Sequence, residues 1–219
     1  MYTLTTSDAI ALVRKNLDEL EPNGSVMYLD EGNDNKSLDD IIKRNLPEAI
    51  NAVCLAAPVH LLEGEEPSSI GVTPDEDDSR ILHIVVGGAQ GAILRLVAFR
   101  CGSNHTVTQF TEEASVEGRK QLNPYLRGTY DRPVLVRRQD ARSSFTFYAL
   151  ENPPEQGTTP LPDDFSVVFE KQFAAATTSY PVPAQLRQNI IDYLTALTME
   201  TYSDQRAQGF FTRANQFAA

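Results

Sequence analysis

The N-terminal part of the chain repeats its apolar positions with the period of an α-helix. The first apolar stripe recurs at three- and four-residue steps, at Ile10, Val13, Leu17 and Leu20. Thr6 or Ser7 is placed to cap this helix. A polar stretch, EPNGSVMYLDEGNDNK, then interrupts the pattern.

A second helical pattern runs over residues 37–57. Ser37 is a suitable N-cap, and Asp39 and Asp40 place carboxylates in the first turn, near the positive end of the helix dipole. Pro47 falls inside this pattern. Because proline lacks the backbone N–H and its ring crowds the carbonyl four residues earlier, we expect Pro47 to kink the helix and divide it.

Residues 80–170 change to the pattern of β-strands. Residues 63–80 are acidic and rich in turn formers, which predicts a loop. Helical spacing is absent between about 80 and 150. Short runs of β-branched and aromatic residues predict strands at ILHIVV, ILRLVAFRC, TVTQFT, RPVLVRR, SSFTFYAL and FSVVFE.

Helical spacing returns at the C-terminus. One apolar stripe begins at Leu186 and a second at Ala207, with a predicted break near Ser203. Pro183 suits a first helical turn. The order of elements predicts an α+β fold, in which N- and C-terminal helices pack as a helical body with a central antiparallel β-rich segment. We therefore expect a single domain over 1–219, with N-terminal helices in 1–62, a β-rich segment in 80–170 and C-terminal helices in 183–219.

The stretch VVGGAQGAILRL contains Gly87, Gly88 and Gly91 and raises the question of a phosphate site. A dinucleotide fingerprint needs GxGxxG opening a helix, and a P-loop needs GxxxxGK followed by Ser or Thr. This stretch matches neither motif, and strand-like sequence follows it. The pattern therefore favours a hairpin turn or bulge that binds no ligand.

Composition and charge narrow the class of protein. The 219 residues are 41% hydrophobic and 22% charged, which is typical of a globular protein. No apolar run approaches a membrane span, the N-terminus does not resemble a secretory signal, and two isolated cysteines indicate free thiols. The net charge of −11 argues against a surface devoted to nucleic acid or anionic lipid.

The charge is unevenly distributed, with a basic segment over residues 119–142. This segment holds seven Arg and Lys residues and two acids, so its net charge is +5 and the remainder carries −16. Arginine and tyrosine are the residue types that dominate protein interfaces. A solvated face is the alternative reading. The interface hypothesis rests on five residues, Arg119, Arg127, Arg132, Tyr125 and Tyr130.

No catalytic or metal-binding set emerges from the sequence. His60, His83 and His105 lack the spacing of metal ligands, and there is no GxSxG elbow. Cys54 lies among apolar helical residues and is expected in the core. We therefore predict no catalytic residues, no metal and no cofactor.

Several segments together resemble a known family of virion proteins. They are LDDIIKRNLPEAINAV at 38–53, ILRLVAFR at 93–100, VEGRKQLNPYLRGTYDRPVLV at 116–136, FTFYAL at 145–150 and YLTALTMETYSDQRAQGFFTRANQF at 193–217. In these the chain resembles head–tail connector (neck ring) proteins of tailed bacteriophages, particularly the ring proteins of crAss-like phages that infect gut Bacteroidales. The resembling segments are spread over most of the chain.

The resemblance implies a non-enzymatic structural protein of the virion neck, assembled in the host cytoplasm. Identical subunits, commonly about twelve, would form a ring between the portal protein and other neck or tail proteins, built by repetition of one contact. DNA would pass through the channel without sequence-specific binding, and neither a cofactor nor a membrane is implied. An acidic chain suits such a channel, because like charge prevents the DNA from sticking.

Two other classes of function stay open from the residues alone. One is a small cytoplasmic enzyme that binds a nucleotide or another small molecule at the 87–91 glycine loop. The other is a monomeric protein-binding module.

Overall fold

The computed structural model of the protein describes residues 1–18, 34–78, 81–87, 93–101, 107, 110–129, 132–139, 143–148, 165–173 and 177–217. The helices in these ranges are α1 (Thr6–Asp18), α2 (Asp34–Ala56), α3 (Val116–Lys120), α4 (Arg187–Thr201) and α5 (Ala207–Ala214). The strands are β1 (Tyr2–Thr5), β2 (Ser69–Pro74), β3 (Leu82–Gly87), β4 (Ile93–Cys101), β5 (Phe110–Glu112), β6 (Val134–Arg137), β7 (Ser144–Tyr148), β8 (Phe165–Lys171) and β9 (Ser179–Val182). This order confirms the predicted α+β class.

The chain forms two compact units. The first unit consists of Met1–Glu63 and Phe173–Ala219, and the second of Gly64–Gln172. The N-terminal and C-terminal segments therefore belong to the same unit, and the β-rich segment lies in the other. The single domain over 1–219 stays a prediction.

Helix α4 is the centre of the first unit, because it contacts α1, α2 and α5. Its buried residues lie around much of the helix, so that even polar positions are enclosed. Thr195 and Thr198 are fully buried, and their hydroxyls donate to the carbonyls of Ile191 and Leu194. These bonds satisfy hydroxyl groups that would otherwise be costly to bury. Strands β1 and β9 pair antiparallel in the same unit.

The cap of α1 lies one residue before the predicted positions. The Thr5 hydroxyl accepts a hydrogen bond from the backbone N–H of Asp8 at 3.1 Å and donates one to the Asp8 carboxylate at 2.7 Å. The first of these bonds is that of an N-cap side chain to the third helical residue. The hydroxyl of Thr6 instead donates to the carbonyl of Thr178. Leu20, the last residue of the predicted stripe, lies outside the described residues.

Pro47 does not divide the second helix, so that prediction is wrong. Helix α2 is continuous from Asp34 to Ala56 with Pro47 inside it. A proline removes a single donor from the helical ladder, and the buried residues on either side, Leu46 and Ala49, anchor the helix through this point. A bend at Pro47 stays a prediction. The helix also begins three residues before the predicted cap at Ser37.

A five-stranded sheet dominates the second unit, in the order β2-β3-β7-β6-β5. Neighbouring strands are antiparallel except β5 and β6, which are parallel. Strands β4 and β8 form a separate antiparallel pair. One apolar cluster joins the inward residues of both sheets, among them Ile84, Phe99, Phe147 and Phe169.

The predicted hairpin around the glycine stretch is wrong. The two flanking strands are present, but β3 pairs with β2 and β7 on its two sides, whereas β4 pairs with β8. Both edges of β3 are occupied, so the glycine stretch connects two sheets. Gly87 is the last residue of β3, and residues 88–92 lie outside the described residues.

Local patterns missed three strands and one helix. Strand β2 lies within the predicted loop 63–80, and α3 lies in the region 80–150, where the sequence has no helical spacing. Strands β1 and β9 are four residues each and pair only with each other. Elements this short show almost no periodicity in the sequence. Whether they form depends on strand pairing or helix capping. The predicted break near Ser203 is confirmed, since Ser203 has a φ of 57° between α4 and α5.

Candidate partner-binding surface

The basic segment begins inside the connection between β5 and β6. Parallel neighbours cannot be joined by a tight turn, so the chain must cross back along the sheet. We call residues 113–129, which make most of this connection, the crossover segment. It contains α3 and a series of turns. Gly128 lies close to Val134 at the start of β6, which brings the end of the segment back to the sheet.

The crossover segment is held by its own hydrogen bonds. The Ser115 hydroxyl caps α3 by accepting from the Gly118 N–H at 2.9 Å. Gln121 is 5% exposed, and its side chain donates to the carbonyl of Glu117 and accepts from the Gly128 N–H at 2.7 Å. It therefore fastens one end of the segment to the other. The Asn123 side chain accepts from the Tyr125 N–H, which closes a further turn.

Apolar side chains project from this segment into solvent. Val116 and Leu122 are each 72% exposed, Leu126 is 59% exposed and Tyr125 is 94% exposed. Half of the large exposed hydrophobic side chains of the described residues thus fall within eleven consecutive residues. Scattered exposed apolar residues need no explanation, but a concentration on a well-ordered segment is typical of an interaction surface.

The predicted interface arginines fall into two kinds. Arg119 and Arg132 are exposed, and neither has an ion-pair partner among the described residues. Arg127 is only 20% exposed and pairs with Asp78 at 2.8 Å. It holds the crossover segment to the loop after β2. Nearby, Lys120 pairs with Glu117. Tyr130, the fifth predicted residue, lies outside the described residues.

A carboxylate behind this ion pair orders the loop that carries Asp78. The Asp75 Oδ1 accepts from the backbone N–H groups of Asp77 and Asp78, and its Oδ2 lies 2.9 Å from the Nε2 of His83. Burial raises the pKa of Asp75, but the hydrogen bonds from Asp77, His83 and Asp78 outweigh it, so the pKa lies below its ordinary value. Sequence reasoning missed this role, although an Asp after a strand is a turn signal.

Burial and the charges of Arg127 and Asp75 all affect the pKa of the Tyr148 hydroxyl. Its side chain is 7% exposed on β7, and burial raises the pKa of its hydroxyl. The positive charge of Arg127 opposes this rise, and the negative charges of Glu113 and Asp75 add to it. Because its pKa is raised above the ordinary value, the Tyr148 hydroxyl stays neutral at physiological pH.

Asp75, His83 and Thr146 form a chain of contacts that resembles a catalytic triad in composition. The Thr146 hydroxyl lies 3.4 Å from the His83 Nδ1, and Thr146 is only 8% exposed. A nucleophile must be reachable by substrate and closely bonded to its base. The buried hydroxyl and the long distance favour a structural role for this chain of contacts.

The other candidate residues lie apart. His60 is in a 3-10 turn of the first unit, His83 is on β3, and His105 lies outside the described residues. Within the described ranges, no three His, Cys, Asp or Glu side chains are grouped to hold a metal. Cys54 is buried, as predicted. None of the described helices has the length and apolar character needed to span a membrane.

An open hollow in the first unit lies beside the N-terminus of α1. Hydroxyl groups of Thr5, Ser7 and Thr178 line it together with Lys43. The chain's own groups already engage several of these, since Thr5 bonds to Asp8 and Lys43 pairs with Asp40. The crossover segment is therefore the stronger candidate for a functional surface.

Comparison with known proteins does not identify the chain. No protein-family model matches the sequence, and no curated protein matches it either.

Proposed function

We propose that the chain is a structural virion protein, a subunit of an oligomeric ring in the head–tail connector of a tailed bacteriophage. In this role it is not an enzyme. It binds identical subunits, the portal protein and other neck or tail proteins, and DNA passes through the ring. The sequence resemblance over five segments supports the assignment to the neck.

The observation that carries the proposal is the crossover segment. Four exposed apolar side chains lie on a segment that capping and buried side-chain hydrogen bonds already order. A surface ordered before binding loses little conformational freedom on association, so its contacts contribute more of their energy to affinity. A subunit that must contact neighbours requires a surface of this kind.

Most of the crossover segment belongs to one of the runs that resemble connector proteins. The run at 116–136 that resembles the connector proteins contains the four exposed apolar residues, together with Arg119 and Arg132. A basic rim beside apolar contacts orients a partner and selects it by charge, since individual rim pairs contribute only ~0–1 kcal/mol.

The location of the protein tests the proposal. Purified phage particles should contain the protein at a fixed copy number, equal to or a simple multiple of that of the portal protein, by quantitative mass spectrometry. A major capsid protein serves as the positive control and a non-virion phage protein as the negative one. Absence from particles, with the protein free in infected cells, would contradict a connector role.

A further inference from the structure

We infer that the crossover segment of one copy binds the outer face of β2 and β3 on a second copy of this chain. This inference rests on the proposed function only in that a ring subunit must contact its own kind. Both surfaces lie in the second unit, so each is defined by the internal geometry of that unit.

The proposed binding surface for the crossover segment is the solvent-facing side of β2 and β3. Strand β2 is an edge strand of the five-stranded sheet. On the face opposite the core cluster, Gly71 is paired with Val85, and Val85 is 47% exposed. Gly71 has no side chain to cover Val85, so an apolar spot stays open beside the strand backbone. We call the outward residues Gly71, Thr73, His83 and Val85 the β2–β3 face.

Exposed acidic residues lie in the chain just before and just after β2. Glu66 precedes the strand, and Glu76 and Asp77 follow it. All three are exposed, and none has an ion-pair partner among the described residues. The other two acids of the loop are engaged within the chain, Asp75 with His83 and Asp78 with Arg127. Negative charge is therefore available to a partner at this face.

The crossover segment has the matching chemistry. Its exposed residues Leu122, Tyr125 and Leu126 suit an apolar spot. Its Arg119 and the nearby Arg132, which have no ion-pair partner among the described residues, suit exposed carboxylates. Arginine binds carboxylates in a two-pronged geometry that fixes orientation. A second copy is the natural occupant, because it carries the complementary acidic residues on a chain of net charge −11.

When one copy uses its crossover segment toward one neighbour and its β2–β3 face toward another, the contact between copies is heterologous. This is the arrangement that a ring subunit requires. Contacts of this type propagate, and they close into a ring when the rotation between copies permits it.

Complementary variants test the contact. The donor variant is Arg119→Glu with Arg132→Glu, and the acceptor variant is Glu76→Lys with Asp77→Lys. Every substituted residue is exposed, so both variants should fold, which circular dichroism checks. Lys43→Glu with Arg44→Glu on α2 is the control, because these residues are exposed on the other unit. Tyr125→Ala removes an apolar contact without changing charge.

Sedimentation of the full chain over a concentration series measures self-association. Each variant alone should associate about tenfold more weakly than the wild type or not at all, Tyr125→Ala should also associate more weakly, and the control should match the wild type. Mixing the donor and acceptor variants should restore association, because the wild-type acidic residues of the donor variant still meet the wild-type crossover segment of the acceptor variant. The reversed charges of the two variants are also complementary to each other, so the mixture should associate about as far as the wild type does.

Other outcomes overturn the inference. A wild-type chain that stays monomeric up to about 1 mM has no such contact. An acceptor variant that associates normally while the donor variant does not would place the crossover segment on another surface. The proposed function has a separate test. It fails only if the wild-type protein is absent from phage particles, whatever its self-association in solution.

Discussion

At the residue scale, single polar groups determine how the candidate surface is presented. Gln121 connects two points of the crossover segment through its buried amide, and Arg127 ties the segment to Asp78. Arg127 is a predicted interface residue, yet its charge is engaged within the chain. Reversing its charge would disturb this loop, so Arg119 and Arg132 are better sites for testing a partner contact.

Asp75 should stabilise the second unit in a pH-dependent way. Asp75→Ala removes the acceptor for two backbone N–H groups and for His83, and we expect it to lower the free energy of unfolding by about 1–3 kcal/mol at neutral pH. Because the folded pKa of Asp75 lies below its ordinary value of 3.8, this stabilisation is present above that value and declines as the pH falls through the folded pKa.

Urea denaturation of both proteins at about pH 7 and about pH 3 measures this effect. The difference between wild type and Asp75→Ala should narrow at the lower pH. Asp77→Ala is the control, because the Asp77 side chain is exposed. A difference that widens in acid would show that the ionised carboxylate is not the stabilising form.

At the element scale, short elements depend on close packing that long helices do not need. Helix α3 has five residues and cannot be stable by itself. Its Gly118 is buried so near the preceding strand that an added Cβ would lie against the carbonyl oxygen of Glu112. Helix α5, by contrast, contains Gly209 in open space.

The two glycines should therefore respond oppositely to alanine. Gly118→Ala should destabilise the protein by about 1–3 kcal/mol, because the backbone must shift to admit the methyl group. Gly209→Ala should stabilise it by roughly 0.5–1 kcal/mol, because alanine is the better helix former and meets no neighbour. Midpoints of urea denaturation check both values. Equal effects at the two positions would refute the close approach at Gly118.

At the scale of the whole molecule, charge is separated along one chain. The basic segment carries +5 and the remainder −16, so two copies attract where these regions meet and repel elsewhere. This separation of charge determines how two copies are oriented when they bind, whereas the apolar side chains of the crossover segment supply most of the affinity.

Self-association should therefore weaken as salt is added, but only in part. Between about 0.05 and 0.5 M salt, screening removes most of the attraction between exposed charges, whereas burial of apolar surface is retained. We expect a several-fold weakening of association by sedimentation for the wild type. The donor variant should respond little or in the opposite sense, because its charges repel. Stronger association of the wild type in high salt would mean that apolar contact alone drives it.

The sequence by itself determined the α+β class, both terminal helical regions and most strands of the sheet. Long periodic segments such as α4 bury a continuous face, and burial of apolar surface specifies their structure locally. The break near Ser203 and the burial of Cys54 were predicted for the same reason. The basic segment was also visible, because charge is a property of composition.

The tertiary structure decided what depends on partners distant in the chain. Strand β3 takes β2 and β7 as neighbours, so the glycine stretch joins two sheets and makes no hairpin. Helix α2 continues through Pro47 because flanking buried residues hold it. Arg127 faces Asp78, forty-nine positions earlier, while Arg119 stays open to solvent. Sequence patterns report local burial and charge, but which groups meet is set by the pairing of strands and the packing between elements.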